Sequence, residues 1–402
     1  MGKHALVVTM TDKLMNVVFM GNFHYPQGMA GTKRIQHFID YLTQESIDVK
    51  LLILRQGGVS LKKAEFEGTH KGVYFKTIGN DVKVNILIPL TLTIYLVKGL
   101  ATLVAWKQNS KKNIVFCYAG LSIESFMFIV FAKLLGYYIV FDIVEDGSYF
   151  REKTHFLASV KHTVSGELDK YTVKLANGIV AVSGYLRDKY IKKSCGNIPV
   201  MLIPISAAIN NQDERKLKYS NPVKIVYAGT FAEKDGVELL ISAFENISKR
   251  KNNCVLLLAG NGYRLPIIKE RIAENPKINY IGYLDDNEFY PFLKEADVMC
   301  ITRSGSDFAN AGFPFKLGEY LATGNPVIVS NVSDVNYYLE NFRDAFIVEP
   351  DNIDQIQKAL EYCLDNPDES IAIGENGRKK CDIYFNPQTN GQHLIQLFEM
   401  LK

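Results

Sequence analysis

Short runs of Val, Ile, Leu and Phe alternate along the whole chain with longer stretches whose apolar residues recur at helical spacing. A strand covered on both faces reads as a continuous apolar run, and a crossover helix as a 3.6-residue period. The alternation therefore predicts parallel sheets flanked by helices. In the first half the runs predict strands over 16–20, 49–54, 113–118, 137–141 and 178–182, and the periodic stretches predict helices over 31–43, 122–135 and 160–175. A polar, charged segment at 210–222 interrupts the pattern and is the best linker. Beyond it a second series begins: "VKIVYAG", "CVLLLAGNG", "INYIGYL", "DVMCITR" and "NPVIVS" read as strands with helical patterns between them. The expectation is an α/β protein of two doubly wound domains facing a cleft at the C-terminal ends of both sheets. Its boundaries are 1–212 for the N-terminal domain, 221–384 for the C-terminal domain, and 385–402 for a last helix packing back on the first.

One apolar segment breaks the pattern by its length. Residues 86–106, "ILIPLTLTIYLVKGLATLVAW", are long enough to span a bilayer, but Pro89, Lys98 and Gly99 interrupt them. Three readings stay open: a largely buried helix, a helix lying on a membrane surface with Lys98, Lys107, Lys111 and Lys112 toward headgroups, or a true span. Residues 1–14 precede the first structural strand, carry no signal-peptide pattern, and are expected to be dispensable.

Composition narrows the class. At 47% hydrophobic, 22% charged and a net charge of +3, the 402-residue chain is globular and not a nucleic-acid binder, since its Lys and Arg form no tract. The six cysteines are scattered without a C-x-x-C, which predicts reduced thiols in a cytoplasmic protein and no zinc site.

The chemistry is expected in the strand-end loops. "AGFPFKLGEYLATGNPVIVS" (311–330) reads as a helix opening at Pro314 and closing at Gly324, with Pro suited to the first helical position. Lys316 then stands in the first turn, where unpaired N–H groups already make the helix end positive. An anion would explain it: phosphate would accept the N–H groups of Phe315, Lys316 and Leu317 and pair with the lysine. The alternative is an i,i+3 pair with Glu319. Glu319 itself suits either the two hydroxyls of a ribose or an ordinary surface ion pair. In "AGTFAEKDGVELL", Gly229 lets the chain turn, Gly236 starts the next helix, and Lys234 is aimed where strand ends meet. Gly260 and Gly262 flank Asn261 in a close-approach loop, but a dinucleotide fingerprint would need a third glycine. The first-domain loop "GNFHYPQGMAGTKR", with Gly28 and Gly31, is either a second backbone anion site or a plain turn.

In this order, the blocks over 223–330 resemble the donor domain of retaining GT-B glycosyltransferases, in particular glycosyltransferase family 4. The N-terminal domain resembles them through its glycine loop and "GIVAVSGYL…MLIPIS". The resemblance implies two Rossmann-like domains, a nucleotide-sugar donor, and a glycan or lipid-linked acceptor in cell-surface polysaccharide or glycoconjugate synthesis. It implies that Lys234 holds the donor pyrophosphate and Glu319 the ribose. The amides around Gly312, Phe313, Phe315 and Leu317 would hold the β-phosphate and sugar. Gly229, Thr230, Gly260 and Asn261 would line the donor, and Gly282, Tyr283 and Leu284 would lie along the base. Gly28 would close over the phosphates. Three departures stand out. The family often has two glutamates seven residues apart, where this chain has Ala311, beside Asn310, ahead of Glu319; it often has an arginine where this chain has Thr230; and a common N-terminal histidine is replaced by "VFDIVEDG", with Asp142, Glu145 and Asp146.

For a transferase retaining configuration in a hexosyl transfer, Lys234, Lys316 and helix-end amides would stabilise the leaving diphosphate with no metal and no cofactor, as the absence of an aspartate-rich metal motif suggests. Asp146 or Glu145 would position the acceptor hydroxyl. Membrane contact would be peripheral. Two other classes stay open: a non-catalytic nucleotide-sugar-binding subunit, and a GT-B epimerase.

Overall fold

Met15–Gly21 is buried at every position, as a central strand with helices on both faces must be. The computed structural model describes residues 14–28, 30–55, 66–79, 88–146, 156–209 and 217–402, arranged in two units. The first holds the described residues up to Ala181, with Arg187–Ile203 and Gly391–Lys402; the second is Val182–Leu186 with Pro204–Asn390.

The first unit is built on β1 (Met15–Gly21), β2 (Asp48–Ile53), β3 (Glu67–His70), β4 (Val73–Thr77), β5 (Lys112–Tyr118), β6 (Tyr138–Ile143), β7 (Gly178–Ala181) and β8 (Val200–Leu202). They lie in the order β3-β4-β2-β1-β5-β6-β7-β8, parallel except for the β3–β4 hairpin. The chain reverses direction across the sheet between β1 and β5, the kind of switch point where open α/β sheets bind ligands. The five expected strands are all here. The edge strands β3 and β8, and β4 next to β3, were not expected, because "EGTH" is polar and half-exposed, "VYFKT" is short, and β8 is only three residues long.

The second unit has β9 (Val223–Thr230), β10 (Cys254–Asn261), β11 (Ile278–Gly282), β12 (Val298–Ile301), β13 (Val327–Ser330) and β14 (Phe346–Val348). Their order is β11-β10-β9-β12-β13-β14, parallel throughout, with the switch between β9 and β12. Its core packs Tyr227, Phe231, Phe244 and Leu256 against Leu360 and Phe346. The helices Gly184–Ser194, Ile353–Asp365 and Pro367–Tyr384 add to those expected, and the helix expected from 160 begins at Phe156. The last helix, Pro387–Met400, runs across the unit boundary; Leu394, Leu397 and Phe398 join the core of the first unit, and Lys112 Nζ donates to the carbonyls of Phe398 and Leu401.

The long apolar segment forms the helix Ile88–Trp106, and it is not largely buried: Leu90, Leu92, Ile94, Val97 and Val104 are all exposed. Among the described residues no helix is long and apolar enough to cross a membrane. Residues 1–13, and 210–216 of the expected linker, lie outside the described residues.

Candidate functional site

The strand ends of the second unit approach one another through glycine. A Cβ on Gly260 would stand 1.9 Å from the carbonyl oxygen of Gly229, so these loops pack backbone on backbone. Gly229, at φ 152°, leaves room for a side chain from elsewhere: a Cβ there would lie 2.5 Å from Lys316 Nζ. The glycine near the end of β9 is thus the gap through which a lysine from a distant helix reaches the strand end.

The helix that carries Lys316 is Lys316–Thr323, closed by Gly324 in the left-handed region. It begins two residues later than expected. Pro314 and Phe315 form a turn ahead of it, and the Leu317 N–H already donates to the Pro314 carbonyl at 2.9 Å. Leu317 therefore has no amide to offer an anion, which corrects the reading of three available N–H groups.

Lys316 finds its counter-charge elsewhere. Its Nζ donates to Tyr227 Oη at 2.6 Å and to Asp235 Oδ1 at 3.3 Å, and stands 4.2 Å from the Tyr227 ring centroid. A carboxylate and an aromatic face offset the repulsion from the helix end. Burial pushes the ammonium below the ordinary lysine value; Asp235 resists this, while Arg303 and Lys234 add to it. Tyr227 Oη in turn donates a hydrogen bond to the Thr230 carbonyl at 2.5 Å, and burial, with the Asp235 charge, raises its pKa far above that of an ordinary phenol. Asp235 Oδ2 is buried without a hydrogen-bond partner. Tyr320 Oη clamps the same strand, accepting from the Ala228 N–H and donating to the Ala228 carbonyl. Tyr227, Asp235, Arg303 and Tyr320 were all missed by sequence reasoning. Tyr227 and Tyr320 look like core aromatics, and the only local hint of Asp235 is its place next to Lys234.

Lys234 occupies a 3-10 turn, Glu233–Asp235, whose end is held when Ser304 N donates to the Lys234 carbonyl at 3.0 Å. Its Nζ lies 4.3 Å from the Phe308 ring centroid. Lys234, just past β9, and Arg303, just past β12, both lie near enough to Lys316 to repel its charge, and Asp235 attracts it.

The remaining expected residues divide into scaffold and open surface. Phe313 is buried against Tyr338 and Phe385, leaving only its backbone to meet a ligand. Asn310 ties its loop together, donating to Gly305 and Ser306 carbonyls and accepting from Ser333 N–H. Ala311 is buried and its carbonyl accepts from Ser183 Oγ at 2.7 Å, while Gly312 ends the short helix Asp307–Ala311. Asn261 folds its Oδ1 onto the Gly262 N–H. Glu319 and Phe315 are half-buried, and Thr230 is exposed. Beyond Gly282, Tyr283 presents a 63% exposed ring beside the half-buried Leu284.

In the first unit, Gly28 leads into the helix Ala30–Gln44, where Thr32 Oγ1 donates back to the His24 carbonyl at 2.6 Å. Asp142 is fully buried in a two-pronged pair with Arg34, both contacts at 2.9 Å, so it is a structural counter-ion. Asp146 is buried with Lys189 Nζ at 2.6 Å, and Glu145 is exposed. Among the described residues no cluster of His, Cys, Asp or Glu is placed to hold a metal ion.

Residues 208–380 match the family model described as Glycosyl transferases group 1. An uncharacterized glycosyltransferase of Methanocaldococcus jannaschii is 21% identical over 268 residues, 64% of this chain and 67% of that protein. The capsular polysaccharide biosynthesis glycosyltransferase CapM of Staphylococcus aureus is 24% identical over 255 residues, 59% of this chain and 65% of that one. The match thus spans about two thirds of the length of these relatives. Among solved structures, sucrose-phosphate synthase of Thermosynechococcus elongatus superposes with a TM-score of 0.75 at 14% identity, covering 96% of this chain and 99% of that one. Anabaena HepE in complex with UDP-glucose gives a TM-score of 0.67 at 14% identity, covering 96% and 99%. At these identities the likeness is one of fold, the two Rossmann-like units of the GT-B glycosyltransferases.

Proposed function

We propose that this chain, which carries a Glycosyl transferases group 1 domain over residues 208–380, is a retaining, metal-independent hexosyltransferase. It moves a sugar from a nucleoside-diphosphate donor to a glycan or lipid-linked acceptor in polysaccharide or glycoconjugate synthesis. The observation that carries the reading is Lys316 Nζ held against Tyr227 at the Gly229 end of β9, with Lys234 and Arg303 near enough to repel it, a local positive charge suited to a diphosphate. As the bond from sugar to diphosphate breaks, charge grows on the leaving oxygen, and fixed cations in a buried setting stabilise it without reorganising. The leaving phosphate takes the acceptor proton as the hydroxyl attacks from the same face, which preserves configuration. Glu319 receives the ribose hydroxyls, the Tyr283 ring covers the base, and Asp146 or Glu145 orients the acceptor. The reaction runs in the cytoplasm with peripheral membrane contact.

A non-catalytic binding subunit is the second reading, drawn from Thr230 and Ala311. Against it, the cation absent at 230 is supplied at the same strand end by Lys316, through the gap at Gly229. Turnover of a panel of nucleotide sugars, with and without oligosaccharide or lipid-linked acceptors, tests the choice. Acceptor-dependent release of nucleoside diphosphate is expected, and Lys234→Ala should weaken diphosphate binding about ten- to a hundredfold. Binding without any turnover would select the subunit; no diphosphate binding at all would overturn both.

A further inference from the structure

Two neighbouring helices of the first unit turn apolar faces to water. On Ile88–Trp106, Leu90, Ile94, Val97, Ala101 and Val104 recur at helical spacing and all five are exposed, Leu90 and Val97 by 59% each. On Ile123–Leu134, Ile123, Met127 and Leu134 do the same, Leu134 by 81%. The helices pack side by side, with Gly99 seated against the Phe128 ring. Scattered exposed leucines are ordinary, but paired apolar stripes left open to water on neighbouring helices form a contiguous patch that marks an interaction surface.

Charge selects the occupant. Between Asp81 and Glu124 the sequence contains no acidic residue and five lysines. Lys111 is engaged by Asp48 and Lys112 by carbonyls of the last helix, but Lys98 is exposed at the flank of the stripe and Lys107 is half-exposed beyond its end. A second copy docked face to face would bring lysines against lysines. Anionic headgroups would meet them with opposite charge, and the acyl boundary would take the leucine, isoleucine and methionine side chains.

We propose that this two-helix face docks in the plane of an anionic lipid bilayer. The inference deepens the membrane contact of the reading above and rests on the first unit alone. Vesicle binding and nucleotide binding are therefore separate tests, and either can fail without the other.

The test is flotation of the full chain with vesicles of phosphatidylcholine alone or mixed with phosphatidylglycerol, at low and high salt. Binding is expected to the mixed vesicles, with partial release by salt. The variant Ile94→Asp/Val97→Asp should partition about tenfold more weakly, and Lys98→Ala/Lys107→Ala should lose the preference for anionic lipid. Unchanged thermal melting and nucleoside-diphosphate binding would show that both variants are folded. Light scattering supplies the opposing outcome: a stable dimer that Ile94→Asp/Val97→Asp dissolves, with no vesicle binding, would assign the face to a second copy. Absence of binding to mixed vesicles at low salt also overturns the proposal.

Discussion

Replacing Lys316 with methionine keeps most of the side-chain volume and removes the ammonium, leaving Asp235 buried with neither oxygen paired to a cation at that point. At the observed 3.3 Å, two unit charges attract by about 5 kcal/mol at an effective dielectric constant near 20. Desolvation of both groups cancels much of this, so the net coupling should be about 1–3 kcal/mol. Lys316→Met alone should cost about 3 kcal/mol. Asp235→Asn should cost less, because Lys316 keeps its bond to Tyr227 and the ring beneath it. The double variant should be more stable than the sum of the two losses implies. Trp106 is the one tryptophan and lies in the first unit, so unfolding of the second is followed by circular dichroism and calorimetry. The functional arm is titration calorimetry: Lys316→Met should bind a nucleoside diphosphate about ten- to a hundredfold more weakly and a bare nucleoside unchanged. Losses that add within about 0.5 kcal/mol would refute the coupling. Full diphosphate affinity in Lys316→Met would remove the lysine from the donor site.

Asp142→Asn leaves the Arg34 guanidinium buried against a neutral partner and should cost about 3–5 kcal/mol, read from Trp106 fluorescence in denaturant; a loss below about 1 kcal/mol would show the pair to be dispensable. His37 has its pKa lowered from 6.5 to about 4, chiefly by burial, so the unfolded chain binds the extra proton between those values. Stability should fall as pH drops from 6.5 toward 4 and lose this contribution to the slope below that; His37→Gln should flatten the fall, and an unchanged acid limb would exclude the histidine.

Apolar runs such as "VVFM" and "VLLLAG" determined, by themselves, where the central strands lie, because a strand buried on both faces admits little else. They also determined the division into two Rossmann-like series, and Gly324 the close of the helix that follows Lys316. The edge strands escaped because a half-exposed edge imposes no apolar pattern on its residues. The surroundings of Lys316 escaped for a different reason. Its partners Tyr227 and Asp235 lie 89 and 81 residues earlier in the chain, and no local rule relates positions so far apart. Sequence raised the question of a cation at a helix start. Only the tertiary structure, by closing the glycine-lined gap between β9 and that helix, decided that a buried carboxylate and a phenol ring surround it. The outward stripe on Ile88–Trp106 was decided in the same way: a helix apolar all round has no preferred face until its neighbours take one side and leave the other to solvent.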